Sequence, residues 1–221
     1  MISRLVFVAG GTGYIGTALI GALLERGHRV RALVRPGSEA KLPRGCEGVV
    51  GNALEAKSYA DQVAPADTFV QLVGVSHPNP SKTSEFASVD RVSALGAIAS
   101  AKSAQVKHFI YLSVAQPAPV MKSYIAVRRQ CEAALRASGM NSTIVRPWYV
   151  LGPGHRWPYV LLPMYWVGEM IPSMREAARR LGLVKLREMT TLLVSAIENP
   201  SLGIRLIEVP QIRTGAVSLV G

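Results

Sequence analysis

Cysteine is nearly missing from this chain: Cys46 and Cys131 are the only two among 221 residues. Their spacing fits neither a metal-ligand set nor a redox pair, which excludes a disulfide scaffold and a thiolate metal site. A reducing, cytoplasmic setting with free thiols is expected, and no metal. Acidic residues are also few, 14 against 25 Lys and Arg, for a net charge of +11. That charge suits nucleic acid or an anionic membrane surface. Yet the basic residues are scattered, with no Lys/Arg run and no interleaved aromatics, so no nucleic-acid partner is expected. Binding of an anionic cofactor and a solvated basic surface account for the excess. Long apolar runs are missing too, so no membrane span is expected. The start, Met1 to Arg4 and then a short apolar run, does not read as a signal peptide. Repeats, low-complexity tracts and interdomain linkers are all lacking. At 49% hydrophobic residues, one domain over residues 1–221 is the expectation.

What the chain does have is GGTGYIG, Gly10 to Gly16, between an apolar run and a helical pattern. Leu5 to Ala9 reads as a strand buried on both faces. Ile15, Ala18, Leu19, Ala22 and Leu23 repeat at helical spacing until Gly27 supplies a stop. The glycines therefore lie at a strand-to-helix turn, the context a dinucleotide site requires. Gly10 allows the tight turn, Gly13 lets the backbone approach a pyrophosphate, and Gly16 brings the helix onto the strand. Thr12, Tyr14 and Ile15 complete the expected cofactor cradle, with the helix N-terminus facing the phosphates.

The second strand, His28 to Arg35, ends where a site for NAD usually carries an acidic residue for the ribose 2′-hydroxyl. This chain has Arg35, and a guanidinium pairs bidentately with a 2′-phosphate, so NADP is expected over NAD. Ser38 adds a hydroxyl nearby.

The G-x-x-G-x-x-G spacing of GGTGYIG resembles that of the extended and atypical short-chain dehydrogenases/reductases, over about Ile2 to Pro147. The resemblance implies an adenine contact at Asn52, where relatives often carry Asp, and a place near the ribose and pyrophosphate for Gly74. It also implies catalytic roles at Ser113, Tyr124 and residue 128. The strand Val106 to Val114 delivers Ser113 to its carboxyl end, and the helix from about Val120 to Ser138 carries Tyr124 and Arg128 on one face. By resemblance Tyr124 donates a proton to a carbonyl and Ser113 holds the carbonyl oxygen. Residue 128 binds the ribose and lowers the tyrosine pKa. The family pattern is Y-x-x-x-K, whereas residue 128 is Arg, which keeps the charge but is flatter and larger than an ammonium. Read without the resemblance, Tyr124 and Ser113 also fit an amphipathic helix and a strand end.

Further strands are expected at Gly48–Val50, Thr68–Gly74, Asn141–Arg146, Arg179–Val184 and Ile204–Val209, and helices at Ser84–Gln105 and Glu188–Asn199. Trp148 to Pro172 is rich in aromatics, Pro and Met; it and the residues to 178 read as a wall or lid of a substrate pocket, or as an apolar surface for a protein partner or a membrane interface. His77 reads as a loop histidine, and His155-Arg156 as a loop salt bridge or an anion contact. The fold expected is α/β: a doubly wound parallel Rossmann sheet with a small C-terminal substrate cap. The function expected is an NADP-dependent oxidoreductase or epimerase-like enzyme for a small, apolar carbonyl or alcohol. The alternative is an NADP-sensing regulator that resembles the NmrA-like proteins and does no chemistry.

Overall fold

The structure, a computed structural model, describes residues 2–75, 79–153 and 175–215. Its first strand, β1 (Leu5–Ala9), is buried at every position, as a continuous apolar run must be when both faces of a sheet are covered. Alternate side chains go to opposite faces. Val6 and Val8 meet Leu19, Ile20 and Leu23 of α1 (Tyr14–Glu25), whereas Phe7 lies among Phe69, Phe109 and Tyr59 on the other side.

The chain continues through β2 (Arg29–Val34), β3 (Glu47–Val50), β4 (Thr68–Gln71), β5 (His108–Leu112), β6 (Ser142–Arg146), β7 (Tyr149–Leu151), β8 (Leu183–Lys185) and β9 (Ile204–Glu208). Seven of these strands form one parallel sheet, ordered β3-β2-β1-β4-β5-β6-β9. Between β4 and β5 the chain forms α2 (Thr83–Glu85), a π-helical segment (Phe86–Arg91) and α3 (Val92–Ser103). After β5 come α4 (Lys122–Ala137), α5 (Arg175–Arg180), α6 (Leu186–Glu198) and α7 (Val209–Thr214). Side chains of α1 and α6 cover one face of the sheet, and those of α3 and α4 the other. This is the doubly wound α/β Rossmann arrangement. Strand order reverses between β1 and β4, and in open α/β sheets the crevice beyond the carboxyl ends at such a switch point is where ligands bind.

The expected strands and helices appear with ends shifted by a few residues, with one correction. Arg179 and Arg180 are not in a strand: they close α5, where Arg180 Nη1 lies 3.0 Å from Glu176 Oε1 one turn earlier. The strand begins only at Leu183. It pairs in parallel with β7, and the two make a separate sheet that sequence pattern does not reveal. A three-residue strand is too short to show a period. The strand expected to reach Val209 ends at Glu208, and Val209 opens α7, which runs into the tail beyond Pro210 that carries no clear pattern as sequence; Pro210 lies in its first turn, with a Glu208–Gln211 capping box and Gly215 in the left-handed region at its end. No described helix is long and apolar enough to cross a membrane.

Candidate active site

The carboxyl ends of β1, β2, β4 and β5 frame the site. At β1 the chain turns on Gly10, whose φ of +90° is costly for any residue with a Cβ. The Gly13 N–H donates to Gly10 O at 3.0 Å. A Cβ on Gly16 would lie 2.2 Å from Gly10 O, so that glycine lets α1 rest on the turn. Thr12 and Gly13 are exposed, and α1 starts with no capping side chain and no acidic residue in its first turn. The first-turn N–H groups and the positive helix end are thus left without a side-chain cap behind an exposed turn, the arrangement that anion binding at a helix N-terminus uses. Tyr14 turns elsewhere: its hydroxyl packs against Gly152, where a Cβ would lie 2.1 Å away.

Arg35 follows β2 directly, is exposed, and its guanidinium has no partner among the described residues. The Ser38 N–H donates to Arg35 O at 3.0 Å, closing a tight turn that puts both residues at the end of β2. Asn52 is engaged locally. Its Oδ1 accepts from the Leu54 N–H at 3.1 Å, and its Nδ2 donates to Glu55 Oε1 at 3.1 Å. One lone pair of Oδ1 is left unused by these bonds.

On α4, Tyr124, Arg128 and Glu132 recur at intervals of four, so one helix face meets the end of β5 three times. Arg128 is buried. Its Nη1 donates to Leu112 O at 2.8 Å and Tyr111 Oη at 3.2 Å, and its Nη2 pairs with Asp90 Oδ1. Gly74 makes room for that pair, since a Cβ there would lie 2.2 Å from Arg128 Nη2 and 2.9 Å from Asp90 Oδ1. Tyr124 is buried between the Phe86 ring, with centroids 4.9 Å apart, and the Arg128 guanidinium, 5.0 Å from its own centroid. Burial pushes its phenol above the ordinary value; Arg128 pulls it down, and Asp90 pushes it up again. The lowering expected from residue 128 is present but outweighed.

Ser113 donates to Glu132 Oε1 at 2.6 Å. The same carboxylate accepts from Gln116 Nε2 at 2.8 Å, Arg146 Nε at 2.9 Å and Arg146 Nη2 at 2.5 Å. The single hydroxyl proton of Ser113 is therefore committed, and toward solvent its oxygen offers lone pairs. Arg146 reaches on to Glu208 Oε1 at 3.4 Å, which links the network to the sheet edge.

Asp90, Glu132, Gln116, Arg146 and Tyr111 were not singled out as sequence. A signal existed for two of them: Glu132 continues the four-residue step of Tyr124 and Arg128, and Asp90 stands four residues after Phe86. His77, His155 and Arg156 lie outside the described residues. So does most of the apolar segment, of which Trp148 packs edge-on against Tyr149 with centroids 5.6 Å apart.

Residues 10–159 match a family model described as NAD(P)H-binding. The ceramide reductase of Caulobacter vibrioides is 28% identical over 211 residues, covering 94% of this chain and 65% of its own length. The chloroplastic protein TIC 62 of Arabidopsis thaliana is 31% identical over 171 residues, 65% of this chain and 27% of that protein. The chain thus spans less than two thirds of either relative. In fold it resembles the Bordetella bronchiseptica enzyme WbmH, solved in complex with NAD+, with a TM-score of 0.70 and 18% identity over 93% of this chain and 75% of that one.

Proposed function

The chain belongs to the NAD(P)H-binding family, and from that premise we propose that it is an NADP-dependent reductase of small, apolar carbonyl compounds. One observation carries the reading. The uncapped N-terminus of α1, Arg35 (without a partner among the described residues) and the phenol of Tyr124 all lie toward the carboxyl end of one parallel sheet, where a dinucleotide and a substrate meet in such folds. The cradle fits the cofactor, because Gly13 is exposed and the helix end is uncapped.

When bound, the dihydronicotinamide supplies a hydride to the carbonyl carbon. The protein supplies the proton. Tyr124 gives its phenolic proton to the carbonyl oxygen and becomes a phenolate beside the Arg128 guanidinium. A phenol raised by burial stays protonated through the neutral range, which suits a donor. Arg35 holds the 2′-phosphate bidentately, with Ser38 beside it. Asn52 accepts from the adenine amino group. Ser113, its proton held by Glu132, accepts from the alcohol that forms. The apolar substrate follows from the composition of the Trp148–Pro172 segment, and the resemblance to a ceramide reductase agrees with it.

A second reading has its own support. Ser113 and Arg128 both direct their donors into the protein, as an NADP-sensing regulator would tolerate, and TIC 62 resembles this chain over 171 residues. Two measurements separate the readings. Titration calorimetry with NADPH and NADH is expected to favour NADPH, and Arg35→Ala to weaken NADPH by about ten- to a hundredfold, the value of a charged hydrogen-bond pair. Equal affinities unaffected by Arg35→Ala would refute NADP. NADPH oxidation with a panel of apolar ketones and aldehydes is expected for the reductase. Tight NADPH binding without any turnover decides for the regulator.

A further inference from the structure

Two four-residue pairs face each other below the candidate site. Tyr124 and Arg128 lie one turn apart on α4, and Phe86 and Asp90 are four residues apart on the π-helical segment. The rings of Phe86 and Tyr124 stand 4.9 Å apart, and Asp90 pairs with Arg128. A π turn carries an extra residue per turn, re-aims the side chains it bears, and is often found at functional sites. Asp90 is fully buried. Its Oδ2 accepts from the Val75 N–H at 3.2 Å, which ties the loop after β4 to the same carboxylate. Its backbone oxygen accepts from Ser93 Oγ at 3.2 Å, and Ser93 Oγ in turn accepts from Gln71 Nε2 at the end of β4, also at 3.2 Å. The carboxylate thereby joins the loop after β4 to α4 and, through Arg128, to β5, while the backbone oxygen of the same residue is tied through Ser93 to β4.

We propose that Asp90 is a positioning residue of this site. Its carboxylate holds the Arg128 guanidinium inside the protein, so that position 128 orders the wall around Tyr124 instead of gripping the cofactor ribose. The inference rests on the proposed reductase reading and alters one part of it, the role implied for residue 128 by family resemblance. The geometry leaves little alternative for the guanidinium. Nη1 is bonded to β5, Nη2 is paired with Asp90, and the planar group lies 5.0 Å from the Tyr124 ring centroid and 5.7 Å from that of Tyr111. Buried charges persist where they are paired and hydrogen-bonded, and moving this one to a ribose would leave Asp90 alone in the interior.

A second consequence concerns the proton. The ionisable groups near the Tyr124 phenol are Arg128 and Cys131 on α4 and Asp90 on the π segment, with Tyr111 on β5 behind Arg128. Arg128 favours the phenolate and Asp90 opposes it. Neutralising Asp90 removes the opposition and leaves the cation.

The test uses the full chain without added substrate. Tyrosinate absorbance is followed against pH in the wild type, Asp90→Asn, and Asp90→Asn with Tyr124→Phe. Asp90→Asn is expected to bring one tyrosine ionisation down by about one unit or more, the usual effect of an altered neighbouring charge. The shift is expected to vanish with Tyr124→Phe. An unchanged phenol titration in folded Asp90→Asn overturns the proposal. Since that variant leaves a buried cation unpaired, a second one, Asp90→Asn with Arg128→Met, removes both charges, a replacement that buried pairs often tolerate. Its NADPH affinity by calorimetry is expected to stay within about threefold of wild type. A loss of about tenfold or more, as when a charged contact to the ligand goes, overturns the proposal whether or not Asp90→Asn folds. A wild-type protein that binds no NADPH refutes the reductase reading instead, and the phenol titration still decides the role of Asp90.

Discussion

Replacing Gly74 with Ala adds one methyl group where the structure has no room for it. The new Cβ would lie 2.2 Å from Arg128 Nη2 and 2.9 Å from Asp90 Oδ1. Side-chain ends usually yield at small cost, but this guanidinium is held by Leu112 O, Tyr111 Oη and Asp90 together. Overpacking a buried site costs about 1–3 kcal/mol. Breaking a buried ion pair outright costs about 3–5 kcal/mol. Gly74→Ala strains the pair without removing either partner, so we expect a loss of about 2–4 kcal/mol, between the two. For a domain of this size that corresponds to a fall in Tm of about 5–15 °C. Urea unfolding followed by far-ultraviolet circular dichroism gives the free energy, with the slope m expected to stay as in wild type. Gly21→Ala is the control. Gly21 lies inside α1, a Cβ there meets nothing within 4 Å, and the change is expected to stabilise by about 0.4–1 kcal/mol. If Gly74→Ala is as stable as wild type within about 0.5 kcal/mol, the packing of Arg128 against Gly74 is wrong, and so is the reason given for glycine at that position.

The glycine turn separates fold from the proposed binding. Gly16→Ala places a Cβ 2.2 Å from Gly10 O and is expected to lower Tm, whereas Gly13→Val, at an exposed position whose Cβ lies 3.2 Å from the same oxygen, is expected to keep Tm and abolish NADPH binding. Normal calorimetric binding by Gly13→Val would place the pyrophosphate elsewhere. On the proposed reductase reading, Tyr124→Phe is expected to lower carbonyl turnover by about two to four orders of magnitude, the worth of a general acid, with little change in NADPH affinity. A drop of less than about fivefold argues against Tyr124 as the donor. His108 gives a pH prediction. Burial, with Arg205 and Arg4 nearby, lowers its pKa to about 4. Unfolded, the imidazole titrates near its ordinary value and binds the proton more readily, so stability is full above about pH 6.5 and declines as the pH falls toward 4. Denaturant midpoints from pH 7 to 4 measure the decline, and His108→Asn is expected to flatten it; an equal slope in the variant refutes the assignment.

The glycine turn and the strands around it were legible in the sequence because their signals are local. Leu5 to Ala9 is apolar without interruption because both faces of β1 are covered, and the glycines of GGTGYIG stand where a turn and a close helix approach exclude a Cβ. The place of Arg35 at the end of β2 could be read for the same reason, since it is set within one strand–helix–strand unit. The pair β7 and β8 was hidden because each strand is too short to show a period and finds its partner more than thirty residues away. The floor of the site was hidden for a related reason. Tyr124, Arg128 and Ser113 were visible as residues, but what they bond to depends on which elements the sheet brings together. Asp90, from the other side of β5 in the chain, takes the guanidinium, and Glu132, from the next turn of α4, takes the Ser113 proton. Charge and spacing determined which groups are present at this site. Only tertiary packing decided which of them still face a ligand, because a buried cation or hydroxyl turns to whatever partner the fold puts within reach.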